Sequence, residues 1–595
     1  MKDVDNSNSI NSFSEHVFEF AHMSEDSKEE YQLAYPLIFN HCRFDYLIKY
    51  LFLKFSESDW HRQLYINHIK YFNNFQEINF PSRNTGEDFI KDFEMLSSTY
   101  SYNSPYLIPV DINGCAYDGA HRLAISAHNN GHIRTMQLEK NTPDISFEFN
   151  YKFFLKKGMP LEYMDYVAYQ CAKLCSETYL LVLFPSCQEQ WSTFEDIIES
   201  SQNEVYYSKS IYLNDIGKNR FIESLYEGEP WLRETNNDTD SGLTWKSKQC
   251  FAVDTINCAK VYLIKSTHKN LIHLKEHLRV LAGIGNHSVH TTDTREDTIR
   301  IASLVFNANS LEFINSAKRD KFLKFDELFQ KFQNVFKDNL LELDSDDFCI
   351  DGSAIMSVCG LRDCNDLDYL AIPGKENIVK SIKGIDCHNS YIISQQYKVF
   401  SKINITDIIT SPLNHFYYKG YKFMIPFLLS KQKEERNEPK DIVDCDLLEN
   451  YYSFIDNRVR ISNSKNPISD DWYSEFDRRY DLFTKKYLKK PISLNSPFTL
   501  SQDLIEYCKS SFKSFSIDDN QKNIQYYFEI FLFTQGNVEL FFSLAEKIIL
   551  ELTLEKRVSA LTIIGVLLNG LYKNSIDVPT IEDVTFFTRG YVEQI

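Results

Sequence analysis

Between Glu29 and Phe75 the apolar residues recur every third or fourth position, as in LAYPLIFNHCRFDYLIKYLF, with few turn-favouring residues among them. That period keeps one stripe of a helix apolar, and it predicts a helical leader over residues 1–88. In SYNSPYLIPVDINGCAYDGAHRLAISAHNNGH the pattern becomes strand, hairpin, strand and helix, with Asn113-Gly114 supplying a turn that tolerates positive φ. A small α/β domain over 89–165, centred on Ile90 to Glu139, is expected. The β-prone run ETYLLVLFPS begins a second α/β unit, 166–325, which continues through NEVYYSKSIYL, CAKVYLIKS and GNHSVHTTDTREDTIRIASLVFN. Within it the polar segment RETNNDTDSGLTWKSKQ reads as a mobile loop. A third unit, 326–470, begins at DFCIDGSAIMS and closes with the helix-like FMIPFLLSKQKEERNEPKDIVDCDLLENYYSF. Residues 471–595 are mostly helical in pattern, and no internal repeat of fixed period is present. The fold class expected is multidomain α/β (α+β), with helical extensions at both ends.

Composition narrows the class. A chain of 595 residues is too long for one hydrophobic core. Its 43% hydrophobic and 25% charged residues are those of a folded globular protein. The formal charge of −19, with no dense run of Lys or Arg, argues against a protein that coats nucleic acid or an anionic membrane. No DNA partner is expected, whereas a local basic pocket for a phosphorylated small molecule stays open. Thirteen cysteines without a CxxC pair read as reduced thiols of a cytoplasmic protein. The first twenty residues lack a secretory pattern, and the apolar stretch from Ser559 to Tyr572 is shorter than the ~20 residues that span a bilayer. A cytoplasmic protein without a membrane span is therefore expected.

Candidate chemistry concentrates in GSAIMSVCGLRDCNDLDYL, from Gly352 to Leu370. The β-prone FCI runs into Asp351, Gly352-Ser353 breaks the strand, a helical segment follows, and DLDYLAI alternates as a strand. Residues two apart on a strand share a face, so Asp366 and Asp368 project together. Two such carboxylates can hold Mg²⁺, a cation that takes oxygen ligands and shares its shell with substrate phosphates. The Gly-Ser turn offers backbone N–H groups to phosphate, and Arg362 can neutralise charge on a transferring group.

These residues resemble the nucleotidyltransferase superfamily that includes DNA polymerase beta and the antibiotic nucleotidyltransferases, in the small bacterial version with an Arg ahead of the paired aspartates. LLSKQKEERNEPKDIVDCDLL is similar to the C-terminal helical element of that family, with Lys431, Arg436, Lys440, Asp441 and Asp444 as the matching residues. The resemblance implies Mg²⁺ on Asp366 and Asp368 and a nucleoside triphosphate, ATP or CTP, bound by Gly352, Ser353, Arg362, Lys431 and Lys440. Fully active members carry a third carboxylate on a later strand. Asp386 and Asp407 are the candidates, and neither lies in a clear acidic strand pattern.

Two further stretches suggest phosphate handling. HLRVLAGIGNHSVHTTDTREDTIRIASLVF holds His287 and His290 ahead of an acidic helix start, where the helix dipole favours carboxylates. Imidazole beside an ordering carboxylate can attack phosphorus, with Arg279 as phosphate ligand. The stretch resembles nucleoside diphosphate kinase, which implies His290 as nucleophile, although Phe184 stands where that family has a phosphate-binding lysine. AYDGAHRLAIS places Asp118, His121 and Arg122 at a helix start after Gly119, a candidate anion site. It resembles the ParB/sulfiredoxin-like fold, whose equivalent loop binds nucleotide phosphates.

The reading that joins these parts is a Mg²⁺-dependent nucleotidyl- or phosphotransferase acting on a small molecule such as a sugar, alditol or amino-acid derivative, in a setting such as bacterial surface-polysaccharide or secondary-metabolite synthesis. Two alternatives stand beside it. One is a nucleotide-binding sensor or scaffold with reduced chemistry, and the other is a nucleotidyltransferase toxin or defence protein.

Overall fold

A computed structural model describes residues 29–456, apart from 77–82, 101–106, 111–115, 117, 138–147, 234–240, 252–257, 318–321, 339–343, 377–381, 396 and 401–402. The chain divides at Ile455/Asp456 into two units, and the three sheets of the described residues lie in the first. The Asn113-Gly114 hairpin, the apolar stretch at Ser559–Tyr572 and the helical region 471–595 expected from sequence lie outside the described residues. Helices and three small sheets make up the described part, a mixed α/β architecture. Among the described residues no helix is long and apolar enough to cross a membrane.

The first sheet joins β1 (Glu29–Leu33), β2 (Leu107–Val110) and β3 (His132–Gln137) in the order β1-β3-β2. Helices Phe44–Lys54, Asp59–Asn73 and Gly86–Thr99 follow β1, as their spacing predicts. Side chains fix where they begin. Ser58 accepts from the His61 amide, and Thr85 and Asp88 form a reciprocal capping box that satisfies two otherwise orphaned N–H groups. The segment Glu29–Leu33 departs from the helical expectation, because it pairs antiparallel with β3, Glu29 opposite Met136 and Leu33 opposite His132. Periodicity reads local sequence and cannot register a partner strand a hundred residues away.

The second sheet is antiparallel throughout, β4 (Thr178–Leu183), β5 (Glu204–Tyr212), β6 (Cys258–Lys265) and β7 (Val289–Thr291), ordered β5-β6-β4-β7. With helices Trp191–Ser200 and His268–Ala282 it forms a split β-α-β-β-α-β unit. Strand alternation sorts its two faces. Leu181, Leu183, Tyr262, Ile264 and Val289 meet Phe194, Ile198, Leu274 and Leu278 of the two helices, while Leu180, Val182, Ala259, Val261 and Leu263 enter the main core. The segment expected as a loop is helical over Gly242–Cys250, where Ser241 caps the helix.

The third sheet carries the paired aspartates: β8 (Phe348–Asp351), β9 (Leu367–Ala371), β10 (Ile385–Cys387), β11 (His415–Tyr418) and β12 (Tyr421–Met424), in the order β10-β9-β8-β12-β11. One continuous apolar core runs from Ala34 to Tyr451 and takes residues from all three sheets. Helix Leu161–Leu174 ties the second and third sheets electrostatically. Its Asp165 accepts from Lys209 of β5 at 2.6 Å and Tyr207 at 2.9 Å. Its Lys173 and Tyr169 reach Asp346 at 2.6 and 2.8 Å, just ahead of β8. Asp346 also receives Tyr417 and Lys422, so the start of β8 is fixed from both neighbouring elements.

Candidate functional site

β8 and β9 bring the motif together as the sequence predicts. β8 ends at Asp351, Gly352 turns the chain, Ser353–Val358 is a short helix, and β9 returns antiparallel so that Asp351 stands opposite Asp368. Gly352 has φ +65°, and a Cβ there would lie 2.5 Å from Asp368 Oδ2. Both conditions demand glycine. Its amide donates to Asp351 Oδ1 at 2.5 Å, and Ser353 Oγ donates to Asp366 Oδ1 at 3.4 Å. Asp366 and Asp368 face one cleft of about 460 Å³.

The strand after β9 contributes the next acid. β10 runs parallel to β9 with Asp386 in register with Asp368, and Asp386 lines the same cleft. Asp407, the other candidate for a third carboxylate, sits elsewhere. It accepts from Ser58 Oγ at 2.8 Å and the Trp60 amide at 3.2 Å, tying helix Ile405–Thr410 to the N-terminal helices. The sequence pattern hid Asp386, because β10 is a three-residue strand whose identity depends on pairing with β9.

His388 is the cleft residue that the sequence pattern did not signal. Its amide donates to the Tyr369 carbonyl, and Asn389 clamps Ala371 through two hydrogen bonds, so the chain after β10 is held against β9. The imidazole then spans two strands, Nδ1 at 3.3 Å from Asp351 Oδ2 and Nε2 at 3.1 Å from Asp368 Oδ1. Burial works to neutralise the ring, but hydrogen bonds and attraction from the two carboxylates outweigh it and push His388 up to about 10. Asp368 is itself raised, first by burial and then by repulsion from Asp351 and Asp366, with His388 acting in the opposite sense. Asp366 and Asp386 line the cleft beyond the two carboxylates that His388 bridges, so this edge is acidic.

The opposite wall is basic. Helix Pro426–Arg436 starts at a proline in its first turn and ends at Asn437 in the left-handed conformation. Leu429, Gln432, Lys433 and Arg436 recur at helical spacing and face the cleft. Lys433 bridges Asp441 at 3.3 Å and Asp444 at 2.7 Å, and Arg436 Nε donates to Asp441 at 2.7 Å. Arg362 grips both oxygens of Asp444 at 2.6 Å, which fixes its guanidinium at the cleft wall. Lys440 lines the cleft with its ammonium 3.2 Å from Glu438. Lys431 points along the other side of the helix to Glu434 at 2.7 Å, and Lys433 takes the cleft-facing place. Counting from Leu429 by four and seven finds Lys433 and Arg436, a signal present in the sequence.

These residues fit Mg²⁺ in one respect. Two carboxylates lining one cleft, one of them raised by burial and then by its acidic neighbours, suit a cation that completes its shell with water and substrate phosphate. Among the described residues no group of three or more His, Cys, Asp and Glu side chains is arranged as a closed metal site.

The remaining candidates lie apart from this cleft. His290 on β7 is buried edge-on against Tyr226 at 4.8 Å. Burial, followed by Lys275, Arg279 and Lys246, lowers it to about 3, so it is a neutral imidazole. Arg279 donates to the Val289 carbonyl through Nε and Nη2 at 3.2 and 3.1 Å, and His287 receives Lys246 at 3.3 Å. Phe184 is fully buried against Phe251. At the N-terminal loop Gly119 has φ +90° with Ile108 close beneath it, and Arg122 pairs with Asp118 at 2.6 Å. His121 turns inward to the Tyr65 hydroxyl at 2.9 Å, where burial lowers its pKa well below the usual value. No family model, curated protein or solved structure matches this chain.

Proposed function

We propose that the cleft between β9 and helix Pro426–Arg436 binds a nucleoside triphosphate, ATP or CTP, with Mg²⁺ and transfers its nucleotidyl or phosphoryl group to a small hydroxylated molecule. The observation that carries this reading is the juxtaposition of Gly352, pressed against Asp368, with Asp366 and Asp386 at one edge and Lys433 and Arg436 at the other. Asp366 and Asp368 would hold Mg²⁺, whose charge offsets that of the phosphates and of the developing transition state. Gly352 allows the main chain to approach the carboxylates closely enough for a phosphate to lie along it. Arg362, locked by Asp444, presents a fixed positive charge to the transferring group. Lys433 and Arg436 balance the polyphosphate from the opposite wall. His290, held neutral, would carry phosphate in a separate step with Arg279 beside it. Asp118 and Arg122 would bind a second nucleotide or a phosphorylated product, while His121, turned inward to Tyr65, would not touch it.

A binding-only reading is favoured by one observation: His388 bridges Asp351 and Asp368 and already supplies a cation there. The two readings separate at the bench. Thermal stabilisation of the whole protein by ATP or CTP with Mg²⁺ is expected in both, because a ligand of the folded state raises its stability. Release of pyrophosphate or of the nucleoside diphosphate that disappears in Asp366→Ala with Asp368→Ala supports transfer. Stabilisation without release supports a sensor, and neither effect with any nucleotide overturns both.

A further inference from the structure

Outside the acidic cleft, a thiol, an imidazole and a carboxylate stand in line where the first helix begins. Cys42 Sγ lies 3.3 Å from His41 Nε2, and His41 Nδ1 lies 3.2 Å from Glu204 Oε2 on β5. Lys265 on β6 holds the same Glu204 oxygen at 3.4 Å. The Cys42 amide donates to Asn40 Oδ1 at 2.8 Å, which fixes the turn that presents the thiol. This is the order of a nucleophile, a base and a group that orients the base. Burial works against charge on His41, but the hydrogen bonds to Cys42 and Glu204 prevail and raise it to about 9, so the imidazolium is the form the site stabilises. Four other buried cysteines, Cys187, Cys250, Cys349 and Cys359, have their thiols pushed up by burial, which keeps them protonated and inert.

We propose that Cys42, with His41 and Glu204, is a modification site at which the thiolate reacts with small hydroperoxides. Access decides the substrate class. Cys42 is only 6% exposed, so the opening at the sulfur suits a small oxidant and not a bulky electrophile. In the resting pair His41 Nε2 holds the proton the thiol has given up, and the sulfur is a thiolate. The thiolate sulfur then attacks one peroxide oxygen, an S–O bond forms and the O–O bond breaks. Cysteine is oxidised by two electrons to the sulfenic acid, the hydroperoxide is reduced, and its leaving oxygen takes the proton from His41 Nε2 as water or an alcohol. Glu204 positions the ring and takes no part in the bond changes.

The test uses the full-length protein, treated with hydrogen peroxide in the presence of dimedone, with each tagged cysteine quantified by peptide mass spectrometry. Cys42 is expected to be tagged at least tenfold faster than Cys387 and Cys445, which are more exposed but lack a neighbouring histidine at hydrogen-bond distance. His41→Gln should lower the Cys42 rate about tenfold and Glu204→Gln by a smaller factor, each with an unchanged melting temperature. The same tagging repeated in urea should level Cys42 with Cys387 and Cys445. Equal rates in the native protein, or a Cys42 rate unmoved by His41→Gln in a folded variant, would overturn the proposal. Glu204→Gln, at the more exposed position, keeps the test open should His41→Gln fail to fold.

Discussion

Replacing His388 by asparagine removes the cation between Asp351 and Asp368, and the site supplies the size of the effect. At about 3 Å and an effective dielectric near 20, each imidazolium–carboxylate contact is worth about 5 kcal/mol before desolvation. Burial takes back much of that, and the balance is expressed as the rise of His388 from 6.5 to about 10. At ~1.4 kcal/mol per pKa unit, the pair is worth about 5 kcal/mol when fully expressed. The sign follows from proton linkage. A group whose folded-state pKa is raised stabilises fully below its unfolded value of 6.5, and the stabilisation is lost as the pH climbs through about 10. Asp351 has no solvent exposure and would be left buried without its cation, so His388→Asn should lower stability at about pH 7 by roughly 3 kcal/mol. Between about pH 7 and pH 9.5 the wild-type protein should lose on the order of 3 kcal/mol that the variant does not. Urea unfolding of both proteins at the two pH values, followed by intrinsic fluorescence, measures these differences. Parallel pH dependences, or a variant within about 1 kcal/mol of wild type at pH 7, would show that His388 does not carry the charge assigned to it.

Gly352→Ala forces a methyl group to 2.5 Å from Asp368 Oδ2 at φ +65°, and should abolish nucleotide-dependent stabilisation while costing the fold roughly 1–3 kcal/mol by thermal unfolding. Asp346→Asn leaves Lys173 and Lys422 without their shared anion and should cost roughly 3 kcal/mol, read from urea unfolding. Gln432 is 4% exposed, lines the cleft, and its Oε1 has no hydrogen-bond partner among the described residues. Gln432→Met removes that orphaned acceptor, so it should leave the melting temperature unchanged or higher while weakening nucleotide binding about tenfold by titration calorimetry. Lys433→Ala should weaken nucleotide binding more than Lys431→Ala, because Lys433 alone of the two faces the cleft.

Local sequence was enough for the conformations near the cleft and for the pairing of its acids. Gly352, Ser353, Asp366 and Asp368 were legible because strand alternation is a short-range rule: residues two apart must share a face whatever the rest of the chain does. The helices from Phe44 to Asn73 and from Pro426 to Arg436 were legible for the same reason, since their apolar period and terminal residues act within a few turns. Everything that depends on distant partners had to wait for the folded chain. Glu29–Leu33 is a strand because β3 offers it an edge, and Asp386 joins the acidic wall because β10 pairs with β9 in register. His388 acquires its charge from Asp351 and Asp368, which approach it from two other strands and outweigh the burial that would neutralise it. Lys433 faces the cleft and Lys431 faces solvent, although both lie in one basic run, because the helix is rotated by the packing of Leu428 and Leu429 in the core. Burial and electrostatic partnership are long-range quantities, set only when the core from Ala34 to Tyr451 closes.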